Sequence, residues 1–148
     1  MSKQQHSDEH RWRLGRDEIG TDGTTYMRRW FFWCPWFGIR VHNILRSDHD
    51  RHLHDHPWDF VSLILRGGYQ EITEEPHDAG PCQAVFRSRR FAPGSIVRHR
   101  AEDLHRLIVA RPAWTIVITG PKRKSWGFMT EDGMVPWREY LARQGAGR

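Results

Sequence analysis

The stretch His54–Gly68, HDHPWDFVSLILRGG, decides how this chain is read. His54 and His56 stand at alternate positions ahead of Pro57, and alternate residues of an extended backbone project to the same side. Such a pair can place two imidazole nitrogens on one ion. Beyond it, Trp58, Phe60, Ser62 and Ile64 share one face, while Asp59, Val61, Leu63 and Leu65 share the other. Both faces are mostly apolar, whereas a strand of an antiparallel sheet normally leaves one face wet. The strand is therefore expected to be covered twice, either by the aromatic segment Trp30–Phe37 or by a second subunit.

Working outward from this stretch, His52 extends the alternation on the N-terminal side, and five of the ten histidines fall between His42 and His56. His52 with His54 is the competing pair, and in that register Asp59 takes the spacing of an acidic ligand. Two ligands from one strand leave a coordination sphere open, so a third has to arrive from elsewhere in the chain. His42 lies on a neighbouring apolar segment, but parity alone does not say which way it faces.

Helix-period segments are scarce in the rest of the chain. Short runs of β-branched and aromatic residues recur instead at hairpin spacing: FGIRVHNIL, WDFVSLIL, GYQEIT, QAVFRS, SIVRH, HRLIVA and WTIVIT. Turn residues separate them at RGG, EPHDAGP, APGS and ARPA. Seven or more short strands in one domain predict an all-β sandwich or small barrel. One short helix is expected at PWREYLARQ, with Pro136 in its first turn. The length of 148 residues suits one domain. It divides into a polar N-terminal tail or strap over 1–23, the barrel over 24–142, and a C-terminal tail over 143–148.

The histidine stretch resembles the first motif of the cupin superfamily, in which HxH is followed by a glutamate and then by a glycine. Aligned on His54 and His56, Gly67 takes the glycine position, and the glutamate position holds Phe60. The second motif of that superfamily, a proline and glycine ahead of a strand pair that ends in a histidine, is similar to APGSIVRHRAEDLHRL. There Pro93 and Gly94 are followed, eleven residues after the glycine, by His105. The resemblance spans roughly residues 40–119 and extends to small cupin-like proteins of bacteria and phages. It implies a single-domain jelly-roll barrel with a short C-terminal helix, and a metal held by His54, His56 and His105. It also implies a centre built from three neutral histidines, as in the thiol dioxygenases of the superfamily. Asp59 and His52 stand as further ligands or as residues orienting an imidazole, and His99 as a structural histidine.

Imidazole-rich sites suit several divalent ions. Fe(II) comes first, with Zn, Ni, Cu and Mn as the other candidates. Arg98, Arg100 and Arg106 flank the third ligand, and Arg40 lies on an expected barrel strand. A guanidinium inside the barrel would clamp a carboxylate or phosphate at two points. Arg40, Arg98 and Arg106 are thus candidate substrate-binding residues, with Trp58 as a pocket wall; no catalytic residue is assigned. The function expected is an iron-dependent oxygenase or dioxygenase acting on a small anionic molecule. The alternatives are a non-redox isomerase or epimerase and a metal- or ligand-binding barrel without turnover.

Composition sets the outer bounds. Eight tryptophans mark a folded chain with large aromatic area to bury. The net charge of +5 favours anionic partners in general, but the densest basic cluster, Lys122–Lys124, is shorter than a nucleic-acid patch. Two cysteines without a CxxC, Cys34 and Cys82, indicate neither a disulfide framework nor a zinc ribbon. The polar beginning of the chain carries no apolar leader, and WFFWCPWFGI is too short to span a bilayer. Cytoplasmic location and a homodimer are expected.

Overall fold

In a computed structural model of the chain, residues 12–21, 24–47, 52–75 and 85–145 are described. Among them twelve strands precede one helix. The strands are β1 (Arg13–Thr21), β2 (Thr24–Trp33), β3 (Gly38–Ile44), β4 (Leu53–His54), β5 (Phe60–Arg66) and β6 (Tyr69–Glu75). They continue with β7 (Val85–Phe91), β8 (Ile96–His99), β9 (His105–Ile108), β10 (Ala113–Thr119), β11 (Gly127–Thr130) and β12 (Gly133–Pro136). Helix α1 (Trp137–Gly145) closes the chain. Two six-stranded sheets result, ordered β1-β2-β3-β10-β5-β8 and β12-β11-β4-β9-β6-β7. This is the double-sheet jelly roll, in which strands near in sequence are shared between two facing layers.

Each of the seven apolar runs read from the sequence contains a strand, and α1 falls on PWREYLARQ. Five strands were not anticipated. The segment Arg13–Thr21, read as part of a tail or strap, pairs along its length with β2 as an edge strand. Its Asp17 and Glu18 meet Arg29 and Arg28 across the pair, so cross-strand charge pairing stands in for apolar alternation. The β11–β12 hairpin turns on Gly133, whose φ of 98° suits glycine. Cys34 is a buried free thiol, and Cys82 lies outside the described residues.

Register fixes which side chains share the interior. Arg29, His42, Thr115 and Ile64 form one inward row across β2, β3, β10 and β5. Phe31, Arg40, Val117, Ser62 and Val97 form the next, and Gly38, Thr119, Phe60 and His99 the third. The main core lies toward one end, where Ile44, Ile64, Tyr69, Val97, Val109 and Ala113 pack together. A second cluster of Phe128, Val135 and Tyr140, lined by Trp126 and Trp137, seats α1. His54 and His56 lie among further aromatic rings, against Trp126, Phe128 and Phe60.

The double covering expected for Trp58–Leu65 is not supplied by the aromatic segment. Trp30–Trp33 belong to β2 of the same sheet, separated from β5 by β3 and β10, and so cannot lie over it. On β5, Ser62 and Ile64 are buried, whereas Val61 and Leu65 are exposed on the outer face.

Gly67 shows why that position holds glycine. Its φ is 84°, and a Cβ there would stand 2.3 Å from the Pro112 carbonyl oxygen. The chain can therefore turn from β5 into β6 against the β10 end only without a side chain.

Candidate metal centre

Three histidines from distant parts of the chain meet inside the barrel. His54 ends β4 and pairs directly with His105, the first residue of β9. His56 follows in the connection to β5, its backbone N–H held by the Ala101 carbonyl at 3.0 Å. Ring centroids lie 5.1 Å apart for His54 and His56, 5.1 Å for His54 and His105, and 5.0 Å for His56 and His105. The Nε2 atoms of His56 and His105 are 2.9 Å apart. One nitrogen from each of the three residues lies within 4.8 Å of the others.

The intervening Asp55 points away from this cluster, as strand alternation demands. Its carboxylate is paired with Lys124 and accepts the Gly127 N–H at 2.8 Å. These bonds tie the ligand-bearing stretch to β11, fixing the backbone that aims His54 and His56 inward.

Behind His105 stands a carboxylate that sequence reading missed. Glu71 of β6, only 3% exposed, has Oε1 2.6 Å from His105 Nδ1. His99 Nε2 lies 2.8 Å from the same oxygen, though out of line for a hydrogen bond. Burial alone would raise the Glu71 carboxyl, but its contacts with His105 and His99 outweigh this and hold it at about 2. An ionised Glu71 accepts a hydrogen bond from the Nδ1–H of His105, which leaves the Nε2 lone pair directed at the cluster.

The other imidazoles are kept neutral by their surroundings. Burial first, and then the neighbouring histidines, push His54 down to about 3 and His56 well below the ordinary histidine range. His105 is also lowered, by burial, with Glu71 opposing. Neutral rings supply the lone pairs a metal needs. The donor set fits a divalent ion: two Nε2 atoms 2.9 Å apart match two ligands held at right angles about 2.0–2.1 Å from an ion, a closer pair than tetrahedral coordination gives. Glu71, His99 and His105 form a second close group. The short Glu71–His105 contact there makes Glu71 a partner of the ligand ring.

Phe60, at the acidic position of the cupin motif, packs against three of these rings. Its centroid is 4.8 Å from His56, 5.0 Å from His99 and 6.0 Å from His105. It contributes no charge and shields one side from water.

The remaining candidates separate. Asp59 is exposed, accepts the Ala101 N–H at 2.8 Å and pairs with Arg123 at 2.6 Å, so it is committed outside the cluster. His52 Nδ1 is 2.8 Å from the Tyr140 hydroxyl, bound to the helix side of the fold. Arg98 pairs in register with outward Val61, and Arg106 with Ile72; as immediate neighbours of inward His99 and His105, both face out of the barrel. Arg40 is inward and buried, with its guanidinium 4.1 Å from the Trp58 ring centroid. His42 is inward too, while His49 lies outside the described residues.

Fold and site together define a cupin barrel: two facing antiparallel sheets with a three-histidine cluster between them. Comparison with known proteins agrees on the fold. A cupin-2 domain protein of Rhodospirillum rubrum has a TM-score of 0.60 at 13% identity, over 90% of this chain and 82% of that one. HEPD of Streptomyces albus, solved with Fe(II) and 2-hydroxyethylphosphonate, has a TM-score of 0.56 at 12% identity, over 91% of this chain and 27% of that one. Fe(II) HppE gives a TM-score of 0.55 at 12% identity, over 72% of this chain, which matches 56% of that protein's length. No family model and no curated protein matches the sequence. No helix among the described residues is long and apolar enough to cross a membrane.

Glu71→Gln tests the carboxylate behind His105. Loss of the negative partner weakens metal binding about 10–100-fold, read by competition with a chromophoric chelator. Unchanged affinity would make the contact structural only.

Proposed function

We propose that this protein is a metal-dependent cupin enzyme, a mononuclear non-haem iron oxygenase acting on a small anionic molecule. One observation carries the reading: three neutral imidazoles converge with no carboxylate among them, because Phe60 stands where the acidic ligand of the cupin motif would be. Bound through His54, His56 and His105, Fe(II) would supply open positions for dioxygen and substrate together with Lewis acidity. The neutral ligand set leaves the ion's charge uncompensated at first contact, which favours an anionic group there. The chain's own contribution is orientation and exclusion of water. Glu71 holds the Nδ1 proton of His105, Asp55 anchors the backbone between the other two ligands, and Phe60 closes one side.

Two structural neighbours, HppE and HEPD, were solved with Fe(II), which supports iron ahead of zinc, nickel, copper or manganese. The test is oxygen uptake by iron-loaded protein across a panel of small carboxylates, thiols and phosphonates. Uptake that requires iron, and is lost in His105→Ala, is the expected result. Turnover that survives chelation would instead indicate isomerase or epimerase chemistry, with a histidine as general base.

A further inference from the structure

The outer face of the sheet β1-β2-β3-β10-β5-β8 carries a continuous apolar patch. Alternation turns the neighbours of the inward rows outward, and there two rows run in register across the strands. Leu14, Phe32, Ile39, Ile118 and Val61 make the first. Trp30, Val41, Ile116, Leu63 and Ile96 make the second. Leu14, Ile39, Ile118, Val61 and Ile96 are 36–75% exposed. Single exposed apolar residues are ordinary, but a contiguous patch rimmed by polar groups marks an interaction surface.

The rim is charged. The first row ends at Arg98 on β8, and the second begins at Arg16 on β1. The next outward row holds Glu18, Arg28 and Arg66 beside Trp114. An apolar centre inside a polar border is the anatomy of a protein–protein contact. Among the described residues nothing covers this face: the second sheet lies on the inner side, and α1 packs on β11 and β12 of that second sheet.

Breadth decides what kind of partner fits. Five of the strands have seven residues or more and one has four; with strands about 4.8 Å apart and about 3.3 Å per residue, the face measures roughly 600 Å². A single helix, about 10 Å across, would span about two strands and leave the rest of both rows wet. Another sheet would cover all of it, as in the face-to-face packing of sandwiches. Two faces of this size would remove about 1,200 Å² from water, the area at which specific association becomes stable.

We propose that this face binds a second copy of the chain, the two sheets meeting through their outward rows in an isologous dimer. The same face on a second copy matches it in breadth and in apolar composition. Ile118 stands at its middle, on β10 between β3 and β5. The second copy also covers the outer side of β5, which the aromatic segment of β2 does not reach. The inference is independent of the metal centre, because the histidine cluster lies on the inner side of the sheet.

The test is sedimentation equilibrium of the full-length protein at micromolar concentration, with Ile118→Lys, Ile96→Lys and Met134→Lys beside the wild type. Wild-type protein is expected at twice the mass of one chain. Ile118→Lys should weaken association by about a hundredfold or more, since an isologous contact meets each substitution twice. Ile96→Lys, at the sheet edge, should act in the same direction and by less. Both side chains face solvent in the single chain, so circular dichroism and melting of the dissociated variants should still report a folded barrel. Met134 is exposed on the other sheet, and Met134→Lys should leave the dimer intact. Wild-type protein that stays monomeric would overturn the proposal, as would a dimer that survives Ile118→Lys or one that Met134→Lys dissociates. A monomer that floats with phosphatidylcholine–phosphatidylglycerol vesicles, and loses that binding in Ile118→Lys, would give the face to a membrane instead.

Discussion

Replacing His105 by alanine is expected to empty the metal centre. Structural metal sites with about four ligands contribute about 10–16 kcal/mol in total, so one ligand is worth about 3 kcal/mol, or at least about a hundredfold in affinity. Elemental analysis of untagged protein should give close to one ion per wild-type chain and close to none for the variant. His105→Ala also strands Glu71, whose buried carboxylate would keep only the contact with His99. Destabilisation is therefore expected alongside the lost metal. His54→Ala separates the two effects, because it leaves the Glu71–His105 contact in place, so its loss should remove metal at a smaller cost in stability. Intact stoichiometry in both variants would end the three-histidine assignment.

Metal-free protein is expected to lose much of its stability between pH 7 and pH 5. His42 and His54 titrate near 3 in the folded chain, both because burial disfavours the cation, whereas in the unfolded chain they titrate near 6.5. The unfolded state therefore takes up protons first as pH falls. The stabilisation is complete above about pH 6.5 and is lost progressively toward pH 3, at about 1.4 kcal/mol per pH unit per group. At pH 5 the two groups together cost about 4 kcal/mol, a large part of an ordinary folding free energy. His56 and His105 are lowered as well and act in the same direction. Glu71, held at about 2, adds a further loss below the ordinary carboxylate range. Urea midpoints at the two pH values test this, and equal midpoints would contradict it. Added metal should steepen the dependence, since protons and the ion compete for the same nitrogens.

The barrel and its three-histidine cluster were legible because each depends on short-range regularities. HxH needs only alternation along one strand, and Gly94 to His105 needs only the length of one short strand and the connection that carries the chain to the other sheet. Gly67 likewise declares a turn through its required backbone angle. Glu71 was hidden for the opposite reason. In GYQEIT it reads as the polar half of an ordinary alternating strand, and its partner His105 is 34 residues away. Only the pairing of β6 with β9 turns it inward beside the cluster. The edge strand β1 was obscured because its cohesion comes from charge pairs with β2. Arg98 and Arg106 could have been set aside from parity alone, since each is one residue from an inward histidine. Arg40 could not be assigned that way, because no neighbour on FGIRVHNIL declares which face is inside.

The two residues that set the electrical character of the centre belong to different layers. Phe60 sits on β5 in one sheet and Glu71 on β6 in the other. Sequence drift in one strand can therefore alter the aromatic plug without disturbing the anion behind His105, and the reverse also holds. Exchanging the two, with glutamate at 60 and a neutral residue at 71, would carry one negative charge from the far side of an imidazole ring to direct contact with a bound ion while total protein charge stays constant. The electron affinity of a redox-active ion there could then be tuned as a variable separate from solubility and isoelectric point.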